Sequence, residues 1–246
     1  MTEKIQKILA NAGVGSRREI EKWIIDQRIM VNGRLAQLGD RIYGTEKISI
    51  DGKPLKYQTR STDRTRILIY HKPEGEVASN KDPEGRPTVF DRLPPLTRQR
   101  WIQVGRLDLN TSGLLLFTTN GELANYLMHP RNEFEREYAV RIRGQVTQEN
   151  LDNLEKGVML EDGLARFNSI IADSRGTGVN HWYHVVLKEG RNREVRRLWE
   201  TQGLTVSRLI RVRYASIQLP RFLRIGSYEE MSHSAVKQFL IDISYS

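Results

Sequence analysis

A chain of 246 residues, 38% apolar and 28% charged, is long enough for one or two globular domains with a real core, and its lack of cysteine excludes disulfides, thiol nucleophiles and zinc–thiolate sites. No apolar run approaches the roughly 20 residues that span a bilayer, and Met1–Ala10 mixes charged and apolar residues in a way unlike a signal peptide. The expectation is therefore a cytoplasmic protein with no membrane partner. A net charge of +9 and a pI near 9.8 favour a polyanionic partner over a merely basic enzyme, since each cation set on a phosphate releases counterions.

The first 60 residues hold 12 Lys and Arg against 7 Asp and Glu, a net of +5, while the other 186 hold 27 against 23, a net of +4. Charge is thus densest in a small N-terminal region. The polar stretch Gln58–Thr65 (QTRSTDRT) ends that region. The expected organisation is a head over 1–60, a linker over 61–65 and a larger domain over 66–246.

Within the head, Ile5, Ile8, Leu9 and Ala12 fall on one helical face, and Gly13 and Gly15 end the helix. Ser16 with Glu19 forms a capping box, so a second helix starts at Arg17 and buries Ile20, Trp23 and Ile24. Asn32-Gly33 and Asp51-Gly52 are hairpin turns beside short strands, among them the one carrying Ile48 and Ile50.

In the larger domain, Ile67–Tyr70, Leu114–Thr118, the alternating run Tyr138–Arg143 and Trp182–Leu187 read as strands. From Val206 to Tyr214 the even-numbered residues share one strand phase, and Arg211 and Arg213 lie on the other. Helices are expected over 121–128, 148–156, 192–202 and 233–242, with Thr147 and Ser232 as N-caps and Gly157 and Gly203 as stops. Strands outnumber helices and do not alternate strictly with them. The fold class is α+β around a mixed, mainly antiparallel sheet flanked by helices.

Two segments could carry chemistry. Val104–Leu114 (VGRLDLNTSGL) places Asp108 on a polar loop between two apolar strands, with Arg106 near enough in sequence to favour its ionised form. Taken alone, an aspartate there reads as readily as a turn residue bonded to its own backbone. In EGRNREVRRL, a helix over 192–202 would bring Arg193, Arg196 and Arg197 onto one face, a clamp for a carboxylate or phosphate or simply a solvated stripe. His181 and His184 are three apart on a strand and so point to opposite faces, and His71, His129 and His233 are scattered; no metal site is expected.

KIQKILANAGVGSRREIEKWI and IMVNGRLA resemble the S4 RNA-binding domain. That resemblance implies an α/β head in which Lys4, Arg17, Arg18, Lys22, Arg28 and Arg34 are candidates for phosphate contact. GRLDLNTSGLLLFTTNGELANYLMHP, REYAV and EGRNREVRRLWE resemble the RsuA/RluB branch of the pseudouridine synthases, which also carries an S4 domain in front. HKPEGEVASNKDPEGRPTVFDRLP and VSRLIRVRYASIQLP are most similar to members of that branch acting on large-subunit (23S) ribosomal RNA. Some of those members extend into a long basic tail, whereas this sequence stops at Ser246.

The resemblance implies a catalytic role for Asp108, a basic partner for its carboxylate in Arg196, a stacking platform for the target base in Tyr138 and active-site packing by Leu198. Lys72, Arg106, Arg191 and Arg193 are added as candidates for flanking phosphates. Pseudouridine formation breaks C1′–N1 and joins C1′ to C5 of the same uracil, so no cofactor or metal is expected. An ionised aspartate can stabilise charge at C1′, add to it, or remove a sugar proton; the sequence leaves these open. The implied partner is ribosomal RNA, and a monomer is the default. Two other readings remain: a non-catalytic S4-type ribosome-assembly protein, and a nucleoside hydrolase using Glu189 or Glu194 as a second acid.

Overall fold

The computed structural model of the chain describes residues 2–57, 65–97, 99–173 and 180–245. Most of the polar stretch read as a linker, residues 58–64, lies outside the described residues. The chain forms two compact units. The first contains residues 1–65 together with 94–102 and 119–121; the second contains 66–93, 103–118 and 122–246.

The first unit opens with β1 (Glu3–Lys4), α1 (Ile5–Asn11) and α2 (Arg17–Ile25). Ser16 Oγ accepts from the Glu19 amide and the Glu19 carboxylate accepts from the Ser16 amide, which completes the expected capping box. Then come β2 (Ile29–Val31), β3 (Arg34–Leu35), β4 (Arg41–Ile42), β5 (Ile48–Ile50) and β6 (Lys53–Leu55). Asn32 and Gly33, and again Asp51 and Gly52, take the positive φ that these two-residue hairpin turns demand. Strands β3-β2-β5-β6 form one sheet, and β1 pairs with β4. Ile5, Leu9, Ile20, Ile24, Ile29 and Ile48 fill the core.

The second unit is built on β7 (Ile67–Lys72), β8 (Ile102–Val104, from Gln103 on), β9 (Ser112–Thr118), α3 (Gly121–Met128, from Glu122 on), β10 (Arg136–Arg143) and α4 (Gln148–Lys156). It continues through β11 (Val158–Leu160), β12 (Gly163–Ala165), β13 (Ser169–Asp173), β14 (Asn180–Leu187) and α5 (Glu194–Glu200). The last elements are β15 (Thr205–Tyr214), β16 (Ile217–Gln218), β17 (Tyr228–Glu230) and α6 (His233–Asp242). The large sheet runs β13-β14-β10-β15-β9-β7-β17, and along that path only β15–β9 is parallel. The mixed, mainly antiparallel α+β architecture is as expected from the strand pattern.

Two expectations are corrected. The strand phase of 206–214 does not hold, because the β10–β15 register shifts at Glu137/Tyr138 and at Arg141/Ile142. Each bulge moves following side chains to the other face, so Val206, Leu209, Arg211 and Tyr214 are the buried set. The helix expected from 192 begins only at Glu194, since Arg193 sits in the left-handed region (φ 49°). Arg193 therefore does not continue the face of Arg196 and Arg197.

Candidate active site

One lateral row of the large sheet organises the site. Tyr138 on β10 lies opposite Arg211 on β15, Arg211 opposite Gly113 on β9, and Gly113 opposite Lys72 on β7. Gly113 has φ +106°, and a Cβ there would stand 2.3 Å from the Arg211 carbonyl oxygen. Only glycine lets β9 come this close to β15, and the Asp108 loop runs directly into β9.

That loop is held by its backbone. Lys72 is fully buried, and its Nζ donates to the carbonyls of Asp108 (3.1 Å), Thr111 (2.9 Å) and Pro73 (2.9 Å). The Gly75 amide donates to the Leu109 carbonyl at 2.8 Å. Arg196, 7% exposed on α5, donates from Nη2 to the Asn110 carbonyl at 2.8 Å and from Nη1 to the Val206 carbonyl at 2.9 Å. Four consecutive carbonyls, 108 to 111, thus each have a donor, and two of the donor groups are buried cations. The Asp108 carboxylate itself is half-buried and has no hydrogen bond or ion pair among the described residues. It is not spent on capping its own turn, the alternative the sequence left open.

The expected pairing of Arg196 with Asp108 takes a different form. The guanidinium makes no ion pair with the Asp108 carboxylate among the described residues; it grips the loop two residues on and acts on Asp108 through its field. Burial lowers the Arg196 pKa and so does Arg193, while Asp108 and Glu74 oppose the shift. Burial likewise pulls Lys72 down to about 8 against the pull of Glu76, Asp108 and Glu74.

Tyr138 is 9% exposed, and its hydroxyl has no hydrogen bond among the described residues. Arg211, 2% exposed, donates from Nε to the Leu114 carbonyl at 2.7 Å, while its Nη2 is buried without a partner. Its guanidinium lies 5.2 Å from the Tyr214 ring centre, and that of Arg136 lies 5.0 Å from the same ring. Sequence reasoning missed Arg211 and Arg136; both lie on strands that carry several arginines, so no local signal sets them apart. Leu198 is fully buried on α5.

Several cations proposed for phosphate are spent inside the protein. Lys72 is corrected, because all three of its N–H groups serve loop carbonyls. Arg191 is corrected too: it binds Glu189 at 2.5 Å and the carbonyls of Gly163 and Leu164, tying down the β11–β12 hairpin. Arg28 forms a two-bond pair with Asp51 (2.8 and 2.6 Å) and lies over Trp23. Lys4, Arg17, Arg18, Lys22 and Arg34 are exposed in the first unit, with Arg34 3.6 Å from Asp40. Arg106 and Arg193 are exposed in the second, with Arg193 3.6 Å from Glu200. Of the two acids a hydrolase would use, Glu194 is buried and accepts from the Arg191 amide, and Glu189 is bound to Arg191. No helix among the described residues is long and apolar enough to cross a membrane.

The Asp108 carboxylate thus stands without a bond among the described residues, on a loop gripped by the buried Lys72 and Arg196. Residues 66–201 match the RNA pseudouridylate synthase family and residues 3–44 match the S4 domain; the chain belongs to the RNA pseudouridylate synthase family. It is 57% identical over 234 residues to ribosomal large subunit pseudouridine synthase B of Pseudomonas aeruginosa, covering 95% of this chain and 61% of that one. It is 59% identical over 231 residues to the protein of that name from Haemophilus influenzae, covering 93% and 64%. Against the Salmonella typhi protein it is 59% identical over 233 residues, covering 94% and 80%. The chain thus spans less than two thirds of the first two relatives. A crystal structure of a pseudouridylate synthase shares the fold at a TM-score of 0.66 and 22% identity, covering 95% of this chain and 98% of that one.

Proposed function

We propose that this chain converts a specific uridine of large-subunit (23S) ribosomal RNA to pseudouridine in the cytoplasm, acting as a single chain. The observation that carries the reading is the free Asp108 carboxylate on a loop whose four carbonyls are each held, in a chain of this family. The target uridine leaves its stack, which costs a few kcal/mol, and a ring such as Tyr138 offsets part of that by stacking. Asp108, as its anion, faces C1′ while the C1′–N1 bond breaks. The uracil turns, C5 bonds to C1′, and the proton lost from C5 is balanced by one gained at N1. No atom is added and nothing is oxidised, so the reaction asks for no cofactor. Arg196 and Lys72 hold the loop in place for the reaction. Residues 1–60, through Lys4, Arg17, Arg18, Lys22 and Arg34, bind backbone phosphates, and Arg106 and Arg193 add contacts on the second unit.

The test is pseudouridine mapping of large-subunit ribosomal RNA from cells with and without the gene, and with Asp108→Asn in its place. The expected result is one or a few sites lost on deletion and not restored by Asp108→Asn, although that variant folds and binds RNA. Full restoration by Asp108→Asn would remove the carboxylate from the mechanism. An unchanged map on deletion would favour the non-catalytic assembly role.

A further inference from the structure

The segment between β16 and β17 carries Pro220–Gly226 (PRFLRIG), of which residues 221–226 belong neither to the site nor to the sequence motifs. It is firmly pinned. The Leu219 amide donates to the Val212 carbonyl at 2.8 Å, and successive turns close from Leu223 N to Pro220 O and from Ser227 N to Arg224 O, both 3.0 Å. The Gly226 amide donates to the His71 carbonyl at 2.8 Å, and the His71 amide to the Ser227 carbonyl at 3.0 Å. His71 Nδ1 donates to the Leu223 carbonyl at 2.8 Å, and Leu223 is buried.

What this rigid frame displays is unusual. Phe222 is 74% exposed and Ile225 55%, and Arg221 and Arg224 beside them are exposed. None of the four side chains has a hydrogen bond, ion pair or ring contact among the described residues. Arg92 lies against Gly226 as well, though it is paired with Glu76. The position follows from the sheet. Tyr228 pairs with Tyr70, so the strand order carries the row Tyr138–Arg211–Gly113–Lys72 on to Gly226. Four strand spacings of about 4.8 Å put the segment roughly 20 Å from the proposed base platform.

We infer that Pro220–Gly226 is a contact surface for the RNA strand flanking the target uridine, with a base stacked on Phe222 and phosphates on Arg221 and Arg224. An exposed ring beside two uncommitted guanidiniums matches unstacked RNA, which offers flat bases and phosphates together. A protein partner has less use for two adjacent cations without acceptors. The inference rests on the reading that the chain acts on RNA.

Full-length wild type, Phe222→Ala, Phe222→Leu, Arg221→Gln/Arg224→Gln and Arg221→Lys/Arg224→Lys are compared for binding to a large-subunit ribosomal RNA transcript over a range of salt. Thermal melting confirms folding. Phe222→Ala and Phe222→Leu are both expected to weaken binding about 5- to 100-fold, the range for losing one stacked base. The Gln pair should flatten the slope of log affinity on log salt by about 1.4, two single-strand phosphate contacts, and the Lys pair should keep it. Wild-type affinity and slope in the Ala and Gln variants overturn the inference. Full affinity in Phe222→Leu overturns the stacking and marks a general apolar contact. If wild type converts no uridine, the proposed function fails on its own, because the binding comparison does not require turnover.

Discussion

Lys72 Nζ reaches the backbone carbonyl of Asp108, not its carboxylate and not solvent. The lysine is a fastener: three carbonyls around the loop share one ammonium, and none of its bonds goes to the Asp108 side chain. Lys72→Met removes all three bonds and leaves buried carbonyls unpaired, for an expected loss of about 2–5 kcal/mol by denaturant titration. Turnover should fall at least tenfold. Lys72→Arg should not rescue it, because a planar fork cannot serve three converging acceptors. A Lys72→Met enzyme with wild-type turnover would refute the fastening role.

The same lysine sets an alkaline limit. Its folded pKa of about 8 lies below the ordinary 10.5, because burial penalises the charge. Between those values the unfolded chain holds the proton and the folded chain does not, so this group's contribution to stability rises with pH across that window. Activity should move the other way. The neutral amine has two N–H donors for three carbonyls, so the Asp108 loop loses part of its fastening. Turnover is expected to decline above about pH 8, and that limb should vanish from the residual activity of Lys72→Met. A wild-type profile flat to about pH 9.5 would contradict this.

Gly113 sets how near the loop comes to Arg211. Gly113→Ala meets backbone at 2.3 Å and forces an alanine to φ +106°, so about 3 kcal/mol or more of stability should be lost. Gly105, with φ +75° and open space around the same atom, is the control: there Gly→Ala should cost only about 1 kcal/mol. Equal costs at the two positions would mean that β9 shifts freely against β15.

Arg196→Ala should harm turnover more than RNA binding. Its guanidinium holds the Asn110 and Val206 carbonyls and lends Asp108 a positive neighbour, yet it is 7% exposed and offers little to RNA. A loss of about 100-fold or more in single-turnover rate is expected with Kd changed less than threefold, since a loop misplaced by an ångström is costly. The reverse pattern would make Arg196 an RNA-binding residue.

The sequence showed the helices at 121–128, 148–156 and 233–242 and the sheet class, because caps and alternation are local signals. Asp108, Tyr138 and Arg196 entered through motif resemblance rather than spacing, and their roles belong to the proposed function. The sequence misjudged Lys72 and Arg191, since one letter does not tell whether a cation ends on phosphate or on a carbonyl far along the chain. It placed Arg211 on the wrong face, because two bulges reset the strand phase and leave no residue signature.

Tyr138 allows two roles to be separated. In the proposed function its ring stacks on the target base, and its hydroxyl has no hydrogen-bond partner among the described residues. Tyr138→Phe keeps the ring and should bind RNA within about threefold of wild type, since stacking carries most of the 1–3 kcal/mol at such a platform. Tyr138→Ala loses ring and hydroxyl together and should weaken binding about 5- to 100-fold. If the hydroxyl touches the reacting uracil, Tyr138→Phe will also slow the single-turnover rate tenfold or more at saturating RNA. A Phe variant that binds and turns over like wild type confines Tyr138 to stacking, and an Ala variant with unchanged affinity removes it from the platform altogether.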